Sequence, residues 1–173
     1  DKYPILPVFD GACRNVKGGG PGGSGAVIYR LDTGEEVCRA SRPLELTTSN
    51  QAECDALSLG LQLARDHGVD CLQDIYGDSQ LIIGQMDGSK CTHHSAMKAC
   101  HLTASRLISE FTTTPRFHWI PREQNTVADA LAKAARNTNT TDISRHGPHI
   151  NPLFRPGLPV PPLTQSHFAA GQH

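Results

Sequence analysis

The sequence predicts an α/β protein built on a five-stranded mixed sheet, three antiparallel strands and then two parallel ones, with helices on both faces. Three observations predict it. Short apolar runs separated by glycine and proline open the chain, as strands joined by turns do. The apolar period then lengthens to that of a helix. Beyond that point strand and helix patterns alternate.

Ile5, Leu6, Val8 and Phe9 make the first strand and run straight into Asp10 and Gly11. The glycine-rich residues 18–25 turn the chain into a second strand at 26–30, and Asp32-Thr33-Gly34 turns it into a third at 37–40. From Asn50 onward Ala52, Ala56, Leu59 and Leu63 recur at helical spacing, Leu57 and Leu61 widening the stripe until His67-Gly68 ends it. Asn50 can cap that helix, with Glu53 three residues later where a capping-box acid sits. A fourth strand at 69–76 stops before Asp78, which stands at the N-cap position of a helix at 80–86. After Asp87-Gly88-Ser89, the residues Ala96, Ala99, Leu102, Ala104, Leu107, Ile108 and Phe111 mark a longer helix that Pro115 cannot continue. Residues 116–121 read as a fifth strand. Asn125 caps a last helix lined by Val127, Leu131 and Ala135, with Asp129 in its first turn. Right-handed crossovers set the fourth and fifth strands parallel to the first. After residue 137 the composition shifts to Pro, His, Thr and Asn. The expected division is therefore a domain at 1–137 and a flexible Pro/His-rich tail at 138–173.

The net charge of −1 hides an asymmetry: the chain carries −5 through Asp78 and +4 beyond it, with eight of the nine histidines in the second part. An acidic region followed by a basic flank suits a site that holds cations and a polyanion together. Cys13, Cys38, Cys54, Cys71, Cys91 and Cys100 form no CxxC pair, and read as small buried hydrophobes in an intracellular, reducing compartment, cytoplasm or nucleus, with a structural disulfide or two as the alternative. No apolar run reaches the length of a membrane span, and no signal-peptide pattern opens the chain. The missing initial methionine suggests a segment of a longer polypeptide. The glycine run is no P-loop, because no Gly-Lys-Ser/Thr closes it.

Asp10, Glu53, Asp78 and Asp129 come from a strand, two element starts and a helix first turn. A mixed sheet can bring these positions together at one sheet edge. Four carboxylates so gathered repel severely unless divalent cations sit among them. Hard oxygen donors suit Mg2+ or Mn2+ rather than zinc. Two such ions about 4 Å apart can activate a water and stabilise the leaving oxygen in phosphodiester cleavage.

Five ordered motifs surround these acids: Phe9-Asp10-Gly11-Ala12; Gly22-Gly23-Ser24-Gly25; Thr48-Ser49-Asn50-Gln51-Ala52-Glu53; Tyr76-Gly77-Asp78-Ser79-Gln80; and residues 118–132, with Trp119-Ile120-Pro121-Arg122-Glu123-Gln124-Asn125 ahead of Asp129. In them the chain resembles ribonuclease H type 1, in its plant, archaeal and retroelement reverse-transcriptase-like branch, over roughly residues 3–136. The resemblance implies the three-layer ribonuclease H-like fold and endonucleolytic hydrolysis of the RNA strand of RNA–DNA hybrids, leaving 5′-phosphate and 3′-hydroxyl ends. It implies two Mg2+ ions, with Mn2+ as a substitute. By position, Asp10 bridges both ions, Glu53 and Asp78 complete the leaving-group side, and Asp129 helps hold the ion that activates water. Hybrid-binding positions fall on Gly11, Ala12, Asn15, Ser49, Asn50 and Gln80. Backbone amides beside Gly11 would sense 2′-hydroxyls, and Thr48 with Asn50 would face the DNA strand.

Departures from the family pattern matter too. The flexible-loop histidine that many bacterial members carry before the last aspartate is replaced by Pro121-Arg122-Glu123, so its role is absent or falls to Arg122 or Glu123. His118 lies inside the fifth strand and reads as structural. The basic protrusion of some members is missing, leaving Lys90, Lys98 and Arg106 as the basic candidates on the connecting helices. Two other classes compete with a hybrid nuclease. An inert ribonuclease H-like binding or assembly module of a larger, for example retroelement, protein is opposed by the intact set of four carboxylates. A DNA-acting nucleotidyl-transfer enzyme is opposed by the motifs ending at Glu53 and Gln80. The expected partner is an RNA–DNA hybrid, with no membrane, and the isolated domain is expected to be a monomer.

Overall fold

A computed structural model describes residues 3–14, 18–91 and 95–145. The elements run β1 (Ile5–Cys13), β2 (Gly20–Arg30), β3 (Glu36–Thr47), α1 (Ser49–Asp66), β4 (Asp74–Gly77), α2 (Gln80–Met86), α3 (Ser95–Ile108), β5 (Arg116–Trp119), a short 3-10 turn (Arg122–Gln124), α4 (Thr126–Thr138) and β6 (Asp142–Arg145). They form one sheet in the order β5-β4-β1-β2-β3-β6. β1 pairs antiparallel with β2 and parallel with β4, and β4 pairs parallel with β5. This is the expected mixed sheet, with one strand added.

Central strands of such a sheet are apolar on both faces, and period two sorts their side chains. Ile5 and Phe9 of β1 and Ala26 and Ile28 of β2 join one core with α1, α2 and α3. Leu6, Val8, Val27 and Tyr29 join a second, which includes Ala128 of α4. The sheet is thus the middle of three layers, with α4 the helix on one side among the described residues. β2 takes in most of the glycine-rich stretch expected as a turn. The reason is close approach: a Cβ at Gly25 would stand 2.5 Å from the Ala128 carbonyl oxygen of α4. Glycine there lets the helix backbone lie directly on the strand.

The sixth strand falls inside the segment expected to be tail. β3 runs to Thr47 rather than stopping at Ala40, and β6 pairs antiparallel with it, Ser41 opposite Asp142. Ile143 stays largely exposed, so β6 adds backbone pairing more than apolar burial, and no apolar pattern announced it. The remainder of the tail call, from residue 146, lies outside the described residues. The fourth strand is shorter than expected, Asp74–Gly77.

The cysteines divide between the two readings. Cys54 of α1 and Cys100 of α3 form a disulfide across 46 residues, while Cys13, Cys71 and Cys91 are free. α3 packs directly on α1, which brings the two sulfurs together. Among the described residues no helix is long and apolar enough to cross a membrane.

Candidate active site

Two of the acids are released from the capping duties their positions suggested. Thr48, not Asn50, caps α1: it accepts from the Gln51 N–H, and the Gln51 side chain closes the capping box that Glu53 would otherwise serve. Ser79 caps α2 by accepting from the Ile82 N–H, so Asp78 is not the cap. Both carboxylates are left free to face β1.

There they meet Asp10. Carboxylate oxygens of Asp10, Glu53 and Asp78 lie within 4.8 Å of one another. Asp10, in the middle of β1, is buried at 3 % exposure. Gly11, in register beside it, donates its N–H to the Glu53 carboxylate. A Cβ at Gly11 would collide with the Ala52–Glu53 backbone, so glycine lets α1 bring Glu53 onto the strand. Asp129, in the first turn of α4, stands at the rim of the trio. It lies close enough to Asp10 to help raise that carboxyl, and it is paired with Lys133 one turn along at 3.0 Å.

Electrostatics follow from this crowding. Burial, reinforced by the Glu53 hydrogen bond and the charges of Glu53 and Asp78, drives the Asp10 carboxyl far above the ordinary carboxylate range. Burial and the Asp78 charge also raise Glu53, against the opposing Asp10 and Gly11 hydrogen bonds. Asp78 is raised by burial, while the Asn125 hydrogen bond and the Arg122 charge pull it back. Without a cation the three cannot all hold their charge. All donors are hard carboxylate oxygens, which fit Mg2+ or Mn2+ and not a thiolate-preferring metal.

Of the expected substrate-binding residues, Gly11 and Ala12 follow Asp10 on β1. Thr48, Ser49 and Asn50 are exposed at the start of α1, and Thr48 and Asn50 line a cleft of about 380 Å3 with Gln51, Leu81, Gln85 and Met97. Gln80 is exposed at the first position of α2, and Arg122 is exposed and acts on Asp78 by charge. Asn15 lies outside the described residues.

Sequence reasoning missed the part played by Asn125. It occupies the N-cap position of α4, but its side chain caps nothing. Buried, its carboxamide instead donates to the Phe9 carbonyl and to Asp78. Trp119 adds a second tie, donating from Nε1 to the Asp78 carbonyl at 3.0 Å. His118 is structural, as expected: it bonds the buried Asp74 on β4 at 2.6 Å.

Comparison with known proteins agrees with this geometry. The family model described as "Reverse transcriptase-like" matches residues 8–135. A curated relative, ribonuclease HI of Halobacterium salinarum, is 36% identical over 127 residues, which is 73% of this chain and 61% of that one. The chain thus spans less than two thirds of that relative's length. The crystal structure of RNase H1 from the same archaeon superposes with a TM-score of 0.72 at 33% identity, covering 78% of this chain and 98% of that one. LC11-RNase H1, isolated from compost and solved in complex with an RNA/DNA hybrid, superposes at 0.71 with 28% identity, covering 78% and 97%.

Proposed function

Because the chain belongs to the reverse transcriptase-like branch of the ribonuclease H type 1 family, we propose that it hydrolyses the RNA strand of RNA–DNA hybrids internally, leaving 5′-phosphate and 3′-hydroxyl ends. The observation that carries this is the convergence of Asp10, Glu53 and Asp78 within 4.8 Å, with Asp129 at its rim. An array of this kind is costly to keep unless cations share it. These four residues would hold two Mg2+ ions, with Mn2+ able to replace them. When bound, the ions supply Lewis acidity that activates water and offsets charge on the departing oxygen.

The chain's own residues do the rest. Asp10 is fixed by its strand at the centre, and Glu53 and Asp78 are set against it by Gly11 and Asn125. Gly11 and Ala12 offer backbone groups to the RNA strand beside the cluster, where 2′-hydroxyls distinguish RNA from DNA. Thr48, Ser49, Asn50 and Gln80 form the rim on which the hybrid rests, and the resemblance adds Asn15 to the residues that contact it. Arg122 places a positive charge next to Asp78, where a phosphate passes, and takes the place of the missing loop histidine. The catalytic unit is the domain at 1–137, with β6 attached to its sheet, and it works as a monomer. An intracellular setting, cytoplasm or nucleus, is in keeping with the free Cys13, Cys71 and Cys91, whereas the Cys54–Cys100 disulfide speaks against a strongly reducing one.

Incubation of the full chain with labelled RNA–DNA hybrid, duplex DNA and duplex RNA, each with Mg2+, Mn2+ or EDTA, tests this. Metal-dependent loss of the hybrid's RNA strand alone is expected. No cleavage in any condition would leave an inert ribonuclease H-like module, and cleavage of duplex DNA would point to a different nucleotidyl-transfer enzyme.

A further inference from the structure

Three residues lie side by side across the sheet: Gly11 on β1 faces Ser24 on β2, and Ser24 faces Arg42 on β3. Period two puts all three on the α1 side, in line with Phe9, Ala26 and Ala40 of that core. Each of them grips the same turn of α1. Gly11 donates its N–H to Glu53 and admits the Ala52–Glu53 backbone against the strand. Ser24 Oγ donates to Asp55 Oδ2 at 2.6 Å and reaches the Ala52 carbonyl at 3.4 Å. Arg42 forks onto Asp55, Nε to Oδ2 at 2.8 Å and Nη2 to Oδ1 at 2.9 Å, and extends Nη1 to Gln62 at 3.3 Å.

Residues two apart on a helix point in directions about 200° apart. Glu53 and Asp55 are therefore held on opposite sides of one turn, Glu53 by Gly11 and Asp55 by Ser24 and Arg42. Two such grips fix the roll of the helix about its axis. With side chains about 5–6 Å from the axis, a roll of about 10° would move the Glu53 carboxylate by about 1 Å. A displacement of that size can cost about a hundredfold in rate. The helix has its cap, its disulfide and its apolar stripe to hold it folded, so the row serves this one turn more than the helix as a whole.

We propose that Asp55, clamped by Ser24 and Arg42, is a positioning residue that sets the Glu53 carboxylate in the metal-binding array. The inference rests on the reading of Glu53 as a metal ligand. It assigns Asp55 an indirect role: its charge is balanced by Arg42 and it does not join the carboxylate trio.

Calorimetric titration of Mg2+ into the full chain tests it. Parent, Asp55→Asn, Glu53→Gln and the double variant are compared, with melting temperatures recorded alongside. Asp55→Asn is expected to weaken Mg2+ binding about tenfold or more, as loss of a group that orients a ligand does. In the Glu53→Gln background the same change should cost nothing further. Swapping the pair, Arg42→Asp with Asp55→Arg, should recover part of the loss. Equal Mg2+ affinity in parent and Asp55→Asn would overturn the positioning role, as would an equal loss in the Glu53→Gln background. No Mg2+ binding by the parent would instead overturn the metal-site reading beneath it. If Asp55→Asn fails to fold, Ser24→Ala, which removes one of the two clamps, carries the same comparison.

Discussion

The Asn125 carboxamide donates from Nδ2 to both the Phe9 carbonyl, at 2.9 Å, and Asp78 Oδ2, at 3.1 Å. One buried amide group therefore ties β1, the end of β4 and the start of α4 together at the point where the carboxylates gather. Asp78 lies just past its strand, where the backbone no longer holds it, and depends on such ties for its direction.

Asn125→Ala is expected to lower hybrid cleavage at least tenfold and to destabilise the fold by about 1–3 kcal/mol, because the Phe9 carbonyl and the Asp78 carboxylate both lose a buried donor. Asn125→Asp, nearly the same in shape, adds a negative charge beside Asp78 and should melt lower in EDTA than in Mg2+. Cleavage assays with paired thermal melts check both. Parent-like activity in the alanine variant would show that Asp78 needs no such tether.

Asp78→Asn is expected to abolish cleavage while leaving the fold intact or more stable in EDTA, by on the order of 1 kcal/mol. The neutral amide removes one of three crowded charges, and removes a metal ligand with it. Melting curves in EDTA and Mg2+ should cross over: the variant higher without metal, the parent gaining more when Mg2+ is added. Retained turnover would take Asp78 out of the site.

Most of the sheet could be read from β1, β2 and the apolar runs because central strands announce themselves by burial on both faces. Asp10 was legible because it interrupts an apolar strand, where a charge is costly, and Glu53, Asp78 and Asp129 because of the ordered motifs that surround them. What stayed hidden depends on tertiary pairing. Asn125 looks like any helix cap until Asp78, 47 residues earlier, is folded against it. β6 carries one apolar residue and is held by the unpaired edge of β3, which no local pattern encodes. Thr48 and Gln51 took the capping roles from Asn50 and Glu53 because the helix begins two residues earlier than its apolar stripe suggests.

The Asp74–His118 pair on β4 and β5 should make stability fall in acid. Burial alone would raise the Asp74 carboxyl, but its His118 hydrogen bond and the charges of His118 and Arg116 outweigh that and hold it below its ordinary value. A carboxyl lowered on folding contributes stability that is fully present above its unfolded pKa, about 4, and is lost as pH falls through the folded value. Asp74→Asn should therefore be less stable than the parent at neutral pH, with the difference shrinking below about pH 4. Urea unfolding from pH 7 down to pH 3 measures this. A constant difference across that range would mean that the pair's charge contributes nothing.

The Cys54–Cys100 disulfide should matter to stability more than any single contact in the helical layer. It closes a loop of 46 residues between α1 and α3. Chain-entropy arguments put the constraint on the unfolded state at about 4 kcal/mol for a loop of that length. In a chain of this size that corresponds to a fall of roughly 10 °C in melting temperature on reduction. Cys54 is fully buried, so replacing it would add a packing defect; Cys100, at the half-buried face of α3, is the cleaner site. Cys100→Ser is expected to melt like the reduced parent and to show no further loss when dithiothreitol is added. Because Cys54 directly follows Glu53, cleavage by the reduced protein is the telling companion measurement. If the turn of α1 that carries Glu53 is held by Gly11, Ser24 and Arg42, activity below the melting range should survive reduction even as the melting point drops. Loss of activity well below melting would mean that the disulfide, and not the strand row, keeps Glu53 in place.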